Sequence, residues 1–268
     1  MNTLGLIAGG GSLPLEIAKE AGRIGLKLVV IAHEGETDLE ISKHCQVCHW
    51  IKLGQFGRLI EHLKSHNIKQ AIMAGSIRKR RMFEGVRPDL KGLGIMLRLK
   101  IFHDDAILRA VSEELEKEGI QIISCTQIMP SLLVEEGVFT KKGPKRSQEE
   151  DISLGLMVAK EIGRLDIGQT VVVKDRVVVA VEALEGTDET IKRGASLAPN
   201  AVVVKVAKPQ QDLRFDLPTI GPRTVQVMAE SKAALLCVEA GKTILLDKKE
   251  TISLANRFGL VVMARRLV

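Results

Sequence analysis

The chain has 268 residues, 45% hydrophobic and 27% charged, with a formal net charge of +6. That length suits two domains of ordinary size, and the composition excludes a disordered or collagen-like chain. No run approaches the ~20 apolar residues of a membrane span and the N-terminus has no basic leader, so a cytoplasmic protein is expected.

Residues 3–8 read as a buried strand that runs into the turn Gly9-Gly10-Gly11. Ser12 follows as the expected N-cap of a helix to about Arg23, with Pro14 tolerated in its first turn. Strands are expected at 26–32, 46–53, 70–74 and 120–125. Helices are expected at 56–66 and 104–118, each with apolar residues repeating on one face. Strands separated by helices predict a parallel, doubly wound sheet. Cys45 and Cys48 form a C-x-x-C without a second such pair, so buried structural thiols are favoured over a metal or redox site.

The stretch 139–150 is charged, carries Gly143 and Pro144, and reads as an inter-domain linker. A helix is expected at 149–163, then a hairpin of 170–174 and 176–181 hinged at Asp175. A short helix to Arg193 and strands at 201–206, 224–228, 234–238 and 243–246 follow, then a helix at 248–258 and a last strand at 260–264. The expected fold class is α/β. A Rossmann-like parallel-sheet N-terminal domain (1–135) precedes a second α/β domain (136–268).

Four places could carry chemistry. A glycine turn between a strand and a helix N-terminus suits an anion, because free N–H groups and the helix dipole meet there. Gly10, Gly11 and Ser12 are the candidates, although the third glycine of G-x-G-x-x-G is missing and Pro14 stands in its place. His103-Asp104-Asp105 opens a helix, where the acids either cap it or meet a hard cation. Glu182 ends a strand, and Gly186-Thr187-Asp188 leads into a helix. The segment 205–222 packs Lys205, Lys208, Asp212, Arg214 and Asp216 into a loop stiffened by Pro209 and Pro218.

The excess of positive charge favours anionic partners, with 78–81 as the densest cluster. Nucleic acid is not expected, since neither stacking aromatics nor a zinc-finger or helix-turn-helix pattern accompanies the charge. No G-x-S-x-G, H-E-x-x-H or Walker A string occurs. A glycine loop with acids and bases then fits metal-assisted attack of water on phosphorus.

Several of these motifs together resemble the LpxI-type UDP-2,3-diacylglucosamine pyrophosphatases. They are Gly5-Leu6-Ile7-Ala8-Gly9-Gly10-Gly11-Ser12-Leu13-Pro14, the Ala74-Gly75 strand end, His103-Asp104-Asp105, Glu182-Ala183-Leu184-Glu185-Gly186-Thr187-Asp188 and Lys208-Pro209-Gln210-Gln211-Asp212-Leu213-Arg214-Phe215-Asp216-Leu217-Pro218. The resemblance implies a Mg²⁺-dependent hydrolase of lipid A biosynthesis that cuts UDP-2,3-diacylglucosamine to 2,3-diacylglucosamine 1-phosphate (lipid X) and UMP. It also implies two domains with substrate between them and a homodimer. Carried onto this chain, it makes Asp216 the acid that holds the metal or orients water. Asp188, Asp105 and Glu182 become further metal candidates, and Arg214, Lys208 and Lys205 hold phosphate oxygens. Gly10, Gly11, Ser12 and Thr187 meet the substrate.

The substrate's acyl chains require an apolar surface, and 93–102 could line it, touch the membrane surface or form an ordinary core helix. Two other readings remain open at this point. One is a nucleotide-cofactor oxidoreductase, resting on the glycine turn and Glu34; the other is a non-catalytic nucleotide-sugar sensor.

Overall fold

The strand Thr3–Ala8 (β1) carries no charged residue and has to be covered on both faces, which places it at the centre of a sheet. The computed structural model describes residues 3–77, 88–98 and 104–267. Two compact units are present: Met1–Pro130 with Asp212–Asp216, and Ser131–Gln211 with Leu217–Val268.

In the first unit β1 leads to α1 (Leu13–Arg23), β2 (Lys27–His33), β3 (Val47–Ile51), α2 (Phe56–Ser65) and β4 (Gln70–Ala74). Then come α3 (Leu90–Arg98), α4 (Asp104–Lys117) and the two-residue β5 (Gln121–Ile122). The sheet order is β3-β2-β1-β4-β5 with every pairing parallel, a Rossmann-like arrangement. Ile7, Val29, Ile31, Ala71 and Met73 point to one face, where Phe56, Leu59, Ile60 and Leu63 of α2 cover them. The expected strand at 120–125 shrinks to β5, because Cys125 begins a 3₁₀ turn capped by the Ser124 hydroxyl.

The second unit holds β6 (Gly137–Val138), α5 (Arg146–Arg164), β7 (Thr170–Lys174), β8 (Val177–Val181), α6 (Thr187–Leu197) and β9 (Val202–Lys205). It continues with β10 (Thr219–Ile220), α7 (Pro222–Glu230), β11 (Leu235–Glu239), β12 (Ile244–Leu245), α8 (Lys248–Phe258) and β13 (Val261–Arg265). Its main sheet has the order β6-β13-β11-β9-β7-β8, parallel across β13, β11 and β9 and antiparallel at both ends. Alternate residues of these strands face opposite ways. Val171, Val173, Val204, Leu235 and Cys237 pack on Ile152, Leu156 and Ala159 of α5. Val172, Val203, Leu236 and Val238 pack on α6, α7 and α8. The β7–β8 hairpin turns at Asp175 and Arg176, both at positive φ, as a tight hairpin requires.

One expected strand is a helix. Thr224-Val225-Gln226-Val227 alternates as a strand would, yet Pro222 stands at the start of α7 and the Thr224 hydroxyl accepts the Gly221 N–H. Burial of Val225 and Met228 on one helical face decides the conformation. The stretch 139–150 is no free linker: it lies inside the second unit, with the Phe139 N–H on Val262 O at 2.9 Å and α5 beginning at Arg146.

Candidate functional site

The glycine turn sits at the carboxyl ends of β1 and β4, where the strand order reverses. That is where ligands bind in open α/β sheets. Two turns meet there backbone to backbone. The Gly9 N–H donates to Ala74 O at 2.8 Å and the Gly10 N–H to Ser76 O at 2.7 Å, while the Ser76 N–H returns to Gly10 O at 3.0 Å. A Cβ on Gly9 would lie 2.8 Å from Ser76 O, and one on Gly75, whose φ is +90°, would lie 2.6 Å from Gly10 O. Gly9 and Gly75 are therefore explained by close approach of main chains, and the Gly10 N–H points at β4's turn.

The outward part of the loop is Gly11, whose missing Cβ faces open space, and the exposed Ser12. Ser12 does not cap α1: it is already helical, and its hydroxyl donates to Glu16 Oε1 at 3.3 Å. The last carbonyl of β1, Ala8 O, accepts the Thr37 hydroxyl at 2.6 Å and lies 2.9 Å from His33 Nδ1.

In the second unit Glu182 follows β8 and is buried. Its Oε1 accepts the Thr187 hydroxyl at 3.0 Å and its Oε2 the Gln169 N–H at 3.3 Å. This hydrogen bond brings together two of the expected site residues. Asp188, in the first turn of α6, pairs with Arg223 at 2.8 Å. Lys205 ends β9, buried, and its Nζ donates to Thr219 O at 3.1 Å. Lys208 pairs with Asp166 at 2.9 Å, and its N–H donates to Gln211 Oε1 at 3.0 Å.

The loop then enters the first unit as Asp212–Asp216. Arg214 holds the Asp212 carboxylate through Nε at 3.0 Å and NH2 at 2.7 Å, and its NH1 donates to Glu116 of α4. The guanidinium beside Asp212 keeps that carboxyl below the usual range, and Asp212, then Glu116, raise Arg214 in turn. Phe215 packs on the first unit's apolar core. The Asp216 N–H closes the turn on Asp212 O at 3.0 Å, so Arg214 and Asp216 are set on one short, tightly bonded turn.

The basic cluster 78–81, His103 and the side chains of Asp104 and Asp105 lie outside the described residues. Cys45 and Cys48 are free, half-buried thiols. Among the described residues no three His, Cys, Asp or Glu side chains stand together as a metal-binding set. No described helix is long and apolar enough to cross a membrane. Sequence reading missed Glu116 and Arg223, the partners of Arg214 and Asp188. Each lies far along the chain from its partner, and no local pattern marks it.

Residues 3–132 match the LpxI N-terminal domain, and residues 135–263 match the LpxI C-terminal domain. The chain belongs to the LpxI family. A relative, the UDP-2,3-diacylglucosamine pyrophosphatase LpxI of Caulobacter vibrioides (strain ATCC 19089 / CIP 103742 / CB 15), is 36% identical over 276 residues, covering 98% of this chain and 97% of its own. Solved structures give weaker likenesses. The biotin carboxylase subunit of pyruvate carboxylase is 15% identical with a TM-score of 0.28, over 64% of this chain and 35% of that chain. The precorrin-6A reductase CobK is 11% identical with a TM-score of 0.33, over 100% of this chain and 89% of that chain. Those scores carry neither fold nor function. Within the LpxI C-terminal match, Asp212–Asp216 is the part that packs into the first unit.

Proposed function

We propose that this LpxI-family chain hydrolyses the diphosphate of UDP-2,3-diacylglucosamine, giving 2,3-diacylglucosamine 1-phosphate and UMP. The observation that carries the reading is the loop from Lys205 to Asp216. It sets basic residues and an acid in a fixed, hydrogen-bonded segment of a chain related throughout to an enzyme named for that reaction.

A diphosphate needs its negative charge balanced before water can attack phosphorus. Lys208 and Lys205 are the cations for its oxygens, and Arg214 would exchange a carboxylate partner for a phosphate oxygen. Asp216 orients the attacking water and accepts its proton. Gly11 and Ser12 offer the nucleotide an exposed turn at a helix N-terminus, and Gly10 shapes that turn. Thr187 is held by Glu182 beside α6.

Mg²⁺ is part of the proposal. Such a cation keeps several waters and takes one or two carboxylates plus substrate oxygens, so it needs no preformed cage. The resemblance puts Asp216 first in this role, with Asp188 and Asp105 as further candidates. Glu182 fits it poorly, because both its oxygens already accept hydrogen bonds. When bound, Mg²⁺ would neutralise charge on the diphosphate and the departing phosphate. Purified protein should release UMP with Mg²⁺ and none with EDTA; equal release in both would refute the metal dependence.

Contact with a membrane surface belongs to the same reading, since the substrate carries two acyl chains. Leu90, Leu93 and Leu97 lie on one side of α3 and are 90%, 45% and 79% exposed. Basic residues at 78–81, Arg98 and Lys100 flank them in sequence. Leu93→Glu with Leu97→Glu should cut binding to anionic vesicles by about tenfold or more; unchanged binding would remove α3 from this role. The homodimer remains a proposal from the resemblance, to be read by light scattering, where a monomer mass would refute it.

A further inference from the structure

Ala207 is buried at the root of the loop that leads to Lys208 and Asp216. Both of its backbone polar groups are held by one ion pair from distant elements. Glu239, the last residue of β11 and only 2% exposed, accepts the Ala207 N–H on Oε2 at 3.0 Å. Lys160 of α5 donates to Ala207 O at 2.7 Å and to the same Glu239 Oε2 at 2.6 Å. Lys242 pairs with the other oxygen of Glu239 at 2.9 Å.

Burial works against the Glu239 charge, but Lys160, Lys242 and the Ala207 N–H together hold its carboxyl below the usual range. A buried carboxylate is costly unless it is paired and hydrogen-bonded. A pair that served only to join α5 to β11 would not also need to bracket Ala207. Immediately after the bracket the loop is fixed again, by Lys208 O accepting the Gln211 N–H at 3.1 Å and Gly163 O accepting Gln210 Nε2 at 2.8 Å.

We propose that Lys160 and Glu239 are positioning residues: their ion pair clamps Ala207 and so fixes the segment 207–211 that presents Lys208 to the diphosphate. The proposal rests on the reading of that segment as the catalytic loop. A displacement of about 1 Å in such a group can lower turnover about a hundredfold, so a clamp outside the site is felt in the rate.

The test compares wild type with Lys160→Met, Lys160→Arg and Glu239→Gln, full-length, well below their melting temperatures. Hydrogen exchange is followed by mass spectrometry, and kcat and KM are measured on UDP-2,3-diacylglucosamine. Lys160→Met should speed exchange across 207–211 by about tenfold or more while peptides of β11 and β13 stay within about twofold. It should lower kcat by about tenfold or more with KM within about threefold, and Lys160→Arg should restore kcat to within about threefold of wild type. Unchanged exchange across 207–211, or unchanged kcat in a folded variant, would overturn the proposal. If Lys160→Met does not fold, Glu239→Gln, which keeps the shape and loses the charge, is judged by the same criteria. If wild type releases no UMP, the hydrolase reading fails, while the exchange result still decides whether the pair holds the loop.

Discussion

His49 on β3 stacks on His62 with ring centroids 3.9 Å apart, and its Nε2 lies 3.0 Å from His66 Nε2. Burial lowers its pKa, and the nearby His62 and His66 lower it further. His33 is lowered too, chiefly by burial. A histidine with a lowered folded pKa binds fewer protons folded than unfolded. It contributes stability above its unfolded pKa of about 6.5, and that contribution is lost as pH falls below this value. The melting temperature should drop from about pH 7 towards pH 5, and His49→Gln should make that drop shallower. An identical slope in the variant would contradict the assignment. At this scale the sequence marks a proline-stiffened loop crowded with acids and bases, and it is the family resemblance that singles out Asp216 and Lys208 within it. Ser12 looked like a cap because its type is right, but only the backbone shows it already helical with its hydroxyl on Glu16. Lys160 and Glu239 are 79 positions apart and could not be paired from the sequence.

Two helices share one acid at their starts. Asp89 accepts the Gly57 N–H at 2.7 Å and the Arg58 N–H at 3.3 Å at the start of α2, and the Gly92 N–H at 2.8 Å at the start of α3. A capping carboxylate contributes roughly 0.5–2 kcal/mol, so Asp89→Ala should destabilise the protein by about 1–3 kcal/mol in urea unfolding. A change below about 0.3 kcal/mol would show that solvent replaces these bonds. Most elements were legible from their apolar pattern: Leu59, Ile60 and Leu63 mark the buried face of α2, and β1 is apolar and buried after Thr3. One that was not, α7, has a β-like alternation that packing overrides, since its Val225 and Met228 must both reach the core.

At the scale of the whole molecule, the α/β character of both units follows from the alternation of strand and helix patterns. The order of the second unit's sheet does not, because β6 and the β7–β8 hairpin join it antiparallel at opposite ends. Nor does the sequence reveal that Asp212–Asp216 leaves the second unit's part of the chain to pack with the first. Phe215 and the Arg214–Glu116 pair make that excursion stable, by apolar burial and by a charge-assisted hydrogen bond. The short segment that ends at Asp216 is therefore held in place at several points. The measurement that tests its catalytic role most directly is UMP release from UDP-2,3-diacylglucosamine by wild type and Asp216→Asn side by side with Mg²⁺. Wild type should release UMP steadily, and the variant should lose about a hundredfold or more while melting at the same temperature. Equal release by both, or none by folded wild type, would contradict that role.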